Sequence, residues 1–156
     1  MAAPSHDSAR RSALWRWVVA LCCWVLFIWG HSLIQGPQSS LESGMVVALV
    51  RPLFEALGVA DVDLMTLIVR KGAHFSEYAV LGILSWGLFL ARLRERGRAP
   101  FPVAYLVALV PVCDECLQLF VPGRSGQPTD VLIDLAGICF GALLATAVSA
   151  LSRRRV

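Results

Sequence analysis

His74, Glu77 and Tyr78 are separated by three and four residues, the spacing that puts side chains on one face of an α-helix. Asp130 and Asp134 repeat the four-residue interval, and Asp114, Glu115 and Gln118 fit within a little over one helical turn. An imidazole among several carboxylates can serve as general acid and base, or can ligate a divalent cation. Arg124, with Arg70 and Lys71 nearby, supplies the charged donors that suit a phosphate. Five carboxylates (Glu77, Asp114, Glu115, Asp130 and Asp134) thus gather around few cations, and like charges crowded in a low dielectric do not all stay ionised. Either some hold protons or a cation is bound among them, and both outcomes mark a functional site. His74, Glu77, Asp114 and Glu115 are the catalytic candidates. The binding set adds Tyr78, Gln118, Arg124, Asp130, Asp134 and Lys71.

Four apolar runs have to position these groups: about residues 14–34, 73–93, 101–121 and 131–151. Each is long enough to cross a bilayer core as a helix, which takes about 20 residues. The composition agrees: 57% of the 156 residues are hydrophobic and 16% charged, too apolar for a water-soluble domain of this size. The expected fold is an all-α integral membrane four-helix bundle, a single domain over residues 14–151. A disordered cytoplasmic N-terminus (1–13) precedes it and a basic cytoplasmic tail (152–156) follows. The first run is too long for a signal-peptide core and lacks a small-residue cleavage site after it.

The net charge of +3 matters less than its placement. Arg10, Arg11 and Arg16 flank the first span, Arg92, Arg94, Arg96 and Arg98 crowd the loop after the second, and Arg153, Arg154 and Arg155 close the chain. These 10 of the 14 Lys and Arg residues share one side if there are four spans, and the positive-inside rule makes that side cytoplasmic. The connection 35–70 then lies outside. Gln35 to Ser40 reads as a turn. Met45, Val46, Leu49, Leu53, Phe54 and Leu57 recur at helical spacing, an extracytoplasmic amphipathic helix on the interface. Asp61 or Asp63 is placed to cap the helix entering span two, and Thr129 or Asp130 the helix of span four.

Spans two, three and four consequently bring their polar groups to one depth in the outer leaflet. At about 1.5 Å per residue, Asp114 lies roughly 10 Å below the end of span three at Val121. Pro111 breaks the helical hydrogen bonding one turn below. Gly137 and Gly141 continue the Asp130–Asp134 face as a small-xxx-small stripe, suited to span one, span two or a second copy of the chain. The five cysteines (22, 23, 113, 116 and 139) read as small buried hydrophobes, and His31 has no recognisable partner. Basic residues that mostly flank the spans, with no folded domain to present them, set nucleic-acid binding aside, and no phosphate-loop or zinc-finger spacing occurs.

Several segments together resemble the VanZ-like family of small membrane proteins. They are Arg70-Lys71-Gly72-Ala73-His74-Phe75-Ser76-Glu77-Tyr78 with Leu81-Gly82; Asp114-Glu115 with Gln118; Val121-Pro122-Gly123-Arg124; Asp130-Val131; and Gly137 with Gly141. Ser32, Gln35, Ser40 and Ser43 resemble the family's serine-rich exit from its first helix. Asp134 stands where the family usually has Asn, and Cys113 and Cys116 flank the acidic pair where other members carry apolar residues. The family is named for a member linked to low-level teicoplanin resistance. The resemblance therefore implies the bacterial envelope and a multi-pass protein of the cytoplasmic membrane.

The leading expectation is a protein that binds a lipid or lipid-linked cell-wall headgroup in an outer-leaflet polar pocket and influences glycopeptide susceptibility. A membrane-embedded hydrolase or transferase, metal-dependent or not, acting on a lipid phosphoester or glycosidic bond is the alternative. An oligomeric lipid transporter, self-associating through Gly137 and Gly141, is the third. Whether the chain is an enzyme stays open on the sequence. A divalent cation at the acidic cluster is compatible with the first two readings.

Overall fold

The computed structural model describes residues 6–96 and 101–153, with side chains over 11–93 and 103–153. The side chains of Arg10, Arg94, Arg96, Arg98, Arg154 and Arg155 lie outside the described residues. Five helices follow one another: α1 (His6–Ser32), α2 (Gly36–Ala56), α3 (Val62–Arg96), α4 (Phe101–Gln118) and α5 (Pro128–Arg153). No strand occurs among the described residues. Stretches within α1, α3 and α5 (Arg11–Ser32, Val62–Leu93 and Pro128–Arg153) are long and apolar enough to cross a membrane. The helix α4 is shorter and carries Pro111, Asp114 and Glu115.

Two local readings change. Helix α1 begins at His6, so most of the N-terminal stretch expected to be disordered is helical. Ala9, Arg10, Arg11 and Ala13 are strong helix formers, and no Gly or Pro separates them from the apolar run. Residues 36–40, expected as a turn, form the first turn of α2 behind Gln35. Pro37 lies in that first turn, where its missing N–H costs nothing.

The bundle's direction can be read from its contacts. Helices α3 and α5 make the most extensive packing and run parallel: Phe75 lies by Gly137 and Ala79 by Gly141. A Cβ at Gly137 would come within 2.6 Å of the Phe75 carbonyl oxygen, and one at Gly141 would overlap the Ala79 backbone. The glycine stripe is therefore filled by α3 of the same chain. Helix α1 runs against α3, with Trp17 on Gly87 at one end and Trp24 donating to the Glu77 carbonyl (2.9 Å) towards the other. Ile28, Tyr78, Leu81, Val107 and Val110 form the apolar core between α1, α3 and α4. Arg16 and Arg92 consequently lie at the end opposite His31, His74 and Asp130.

Helix α3, at about 1.5 Å per residue, is roughly 50 Å long and outruns a bilayer core of about 30 Å. Its N-terminal part pairs with α2, burying Val47 and Met65. Polarity is otherwise inverted relative to a soluble protein. Leu26, Tyr105 and Leu143 are more than half exposed, while Asp114 and Asp134 are fully buried. All five cysteines lie on the exposed surface, which corrects the expectation that they fill the interior.

Gly141→Leu should destabilise the bundle by about 1–3 kcal/mol, the usual cost of forcing bulk into a closed contact. Gly44→Leu, where a Cβ meets open space, should leave stability unchanged. Thermal melting of the two detergent-purified variants compares them directly.

Candidate functional site

The parallel α3–α5 pair sets the site's register. Asp61 caps α3, its Oδ1 accepting from the backbone N–H of Asp63 (2.9 Å) and Leu64 (3.2 Å). One and a half turns of helix later than Thr66, Lys71 meets Asp130 of α5, and one turn further His74 meets Asp134. Helix α5 starts at Pro128, so Thr129 and Asp130 lie in its first turn. Neither side chain accepts a backbone N–H there, and Asp130 takes Lys71 instead. From the far side α4 delivers Asp114, Glu115 and Gln118 just before it ends. The 119–127 loop turns back through Gly123 (φ +76°), which lets its backbone pack on Gly36.

His74, Asp114, Glu115 and Asp134 converge, each offering one ligand atom within 4.8 Å of the others. His74 Nδ1 is 3.4 Å from Asp134 Oδ1, without hydrogen-bond alignment. Both oxygens of Asp134, and Oδ1 of Asp114, are buried with no hydrogen-bond partner in the protein. The Tyr78 hydroxyl is buried beside them and faces Asp114, without the geometry of a full hydrogen bond. Gln118 Nε2 approaches Asp114 Oδ2 (3.4 Å) and Glu115 Oε1 (3.3 Å). The backbone N–H of Gln127 donates to Glu115 Oε2 at 2.6 Å, tying the loop to the acid.

The other members of the expected site are diverted. Glu77 leaves the cluster and accepts or shares a proton with His31 Nδ1 at 2.9 Å. His31 Nε2 stands 3.5 Å from Glu42 of α2, so this histidine bridges two acids instead of lacking a partner. Arg124 does not contact the acids directly. Its Nε donates to the Ile34 carbonyl (3.0 Å) and its Nη2 to that of His31 (3.2 Å), closing the last turn of α1. Burial, and then the neighbouring Arg70, push the Arg124 guanidinium below its ordinary value. It remains a cation at neutral pH, since a guanidinium does not lose its proton in proteins.

Two cavities open beside His74. One, of about 240 Å³, is lined by His31, Ser39, Glu42, Ser43, Arg70 and Arg124, with Val46, Val69, Ala73 and His74. The other, of about 210 Å³, includes Asp63, Thr66, Arg70, Lys71, Gln127 and Asp130. Glu42 was not among the expected site residues. A signal existed: Ser39, Glu42, Ser43 and Val46 follow i, i+3, i+4, i+7 spacing, a stripe of small and polar residues along one side of the first half of α2. Its importance required knowing that this face meets α3.

A family model described as VanZ/LLP1 matches residues 17–149. No curated protein and no solved structure matches the chain.

The Lys71–Asp130 pair is half-buried and joins the parallel helices at the mouth of the site. A double-mutant cycle of Lys71→Ala and Asp130→Ala should give a coupling of about 1 kcal/mol in detergent unfolding, near the upper end for partly solvated pairs.

Proposed function

The chain belongs to the VanZ/LLP1 family, and on that premise we propose that it binds a phosphate-bearing lipid or lipid-linked cell-wall headgroup at its polar end. In this reading four helices (α1, α3, α4 and α5) span the bacterial cytoplasmic membrane and both termini are cytoplasmic. Helix α2 is extracytoplasmic, its apolar residues Leu41, Met45, Leu49 and Leu53 facing lipid. The placement of Arg16, Arg92 and Arg153 away from the site supports this orientation.

The observation that carries the reading is the pair of guanidinium groups on one cavity. Arg70 and Arg124 both line the 240 Å³ space and lie close enough to repel each other. An anion between them relieves that repulsion and collects charge-assisted hydrogen bonds. Arg124 is preorganised for this, because two carbonyls hold its Nε and Nη2 while further N–H donors remain. Lys71, Ser125 and Gln127 line the adjoining cavity with polar groups suited to sugar or peptide parts of a headgroup. Occupancy of such a headgroup would alter a glycopeptide's access to its cell-wall target, and hence teicoplanin susceptibility.

Native mass spectra of protein released from its membrane should show a phosphate-bearing lipid adduct. Arg70→Ala and Arg124→Ala should each weaken it about tenfold or more, the loss expected for one charged hydrogen bond. Teicoplanin susceptibility of cells expressing these variants should shift in step. Unchanged adducts and unchanged susceptibility at normal expression would overturn the reading. The orientation has its own check: in a cysteine-free background, Ser125→Cys should react with an impermeant maleimide applied from outside.

A further inference from the structure

We propose that His74, Asp114, Glu115 and Asp134 form a binding site for a single divalent first-row transition-metal ion. The proposal does not rest on the headgroup reading, since none of these four residues supplies that reading's anion contacts.

Two independent features support it. The first is convergence: four side chains from α3, α4 and α5 offer ligand atoms all within 4.8 Å of one another. Ligands about 2.1 Å from an ion lie about 3.4 Å apart in a tetrahedron and about 4.2 Å apart across an octahedron. Closing the cluster onto an ion therefore takes less than about 1 Å of side-chain movement. The second is unused bonding capacity. Asp134 is fully buried and neither of its oxygens has a hydrogen-bond partner in the protein, so whichever one faces the centre is free to ligate. Asp114 Oδ1 is likewise buried without a partner, and His74 Nδ1 faces Asp134 Oδ1 at 3.4 Å without hydrogen-bond alignment.

Two of the nearby cations are committed elsewhere. Lys71 pairs with Asp130, and Arg124 donates to the carbonyls of Ile34 and His31. Among the described residues no Lys or Arg forms an ion pair with Asp114, Glu115 or Asp134. Groups around the cluster behave as outer-shell supports do, orienting ligands without occupying them fully. Gln118 reaches one oxygen each of Asp114 and Glu115, and the Gln127 N–H holds the other oxygen of Glu115. One imidazole with carboxylates and no thiolate suits Mn²⁺ or Zn²⁺ better than a thiophilic ion. Cys113 and Cys116 flank the acids in sequence but face the exposed side of α4.

The test uses the full chain in detergent, stripped with chelator and titrated with MnCl₂ or ZnCl₂. Wild type should bind about one equivalent, and bound Mn²⁺ should show coupling to one imidazole nitrogen by pulsed electron paramagnetic resonance. His74→Gln should lose that coupling. Asp114→Asn and Asp134→Asn should each weaken the ion by more than about a hundredfold, beyond the roughly 10–100-fold that loss of an outer-shell partner costs. Cys113→Ser with Cys116→Ser should bind Zn²⁺ as wild type does. Affinity unchanged in both Asn variants would overturn the proposal. So would wild type that binds no ion, the result expected if protons alone compensate the acids. Should a variant fail to fold, the nitrogen coupling of Mn²⁺-loaded wild type decides: its presence upholds the site and its absence overturns it. Failure here leaves the lipid adduct and its dependence on Arg70 and Arg124 untouched.

Discussion

Close contact between two parallel helices governs this molecule. Gly137 and Gly141 let α5 lie directly on the backbone of α3, and that approach sets Lys71 opposite Asp130 and His74 opposite Asp134. In a lipid environment apolar side chains gain little by leaving the solvent, so close van der Waals fit must hold helices together. The same contact that stabilises the pair thereby sets the register of its chemistry. A helix pair held further apart by larger side chains would leave the histidine and the aspartate out of reach of each other.

The polar groups then sort into layers by the partners available to them. Lys71 with Asp130, and His31 between Glu77 and Glu42, satisfy one another. Arg124 closes the end of α1 through backbone carbonyls and ties the 119–127 loop to it. Deeper in, Asp114 and Asp134 are fully buried and retain unpaired oxygens. Unmet bonding capacity of that kind is costly in a low-dielectric interior. Each such buried, unpartnered group calls for an explanation beyond packing. Both cavities reach His74, which stands between this inner layer and the basic rim.

Much of the architecture is legible in the sequence. The apolar runs predicted the long helices, because lipid requires every backbone group to be satisfied within the segment. The convergence of His74 with Asp114, Glu115 and Asp134 was legible too, since helical spacing and span direction place them at one end. Misread were short-range details, such as Gln35 to Ser40 as a turn and the N-terminal stretch from His6 onward as disordered. There, Gly, Pro and polar residues are compatible with a helix start as well as with a loop. The cysteines were misplaced because hydrophobicity does not say which face of a lipid-exposed helix meets protein.

By itself, then, the sequence determined the apolar helices, their polar-bearing ends and the family, all of which depend on residue type and on spacing along one chain. Only the tertiary structure decided who pairs with whom. Glu77 and His74 share a helix face, yet Glu77 turns to His31 on α1 and His74 to Asp134 on α5. Arg124 spends its donors on carbonyls and leaves the acids uncompensated. Pairing is settled by the rotation of each helix about its axis and by which neighbour it packs against. Both are collective properties of the packed bundle, and local spacing does not encode them.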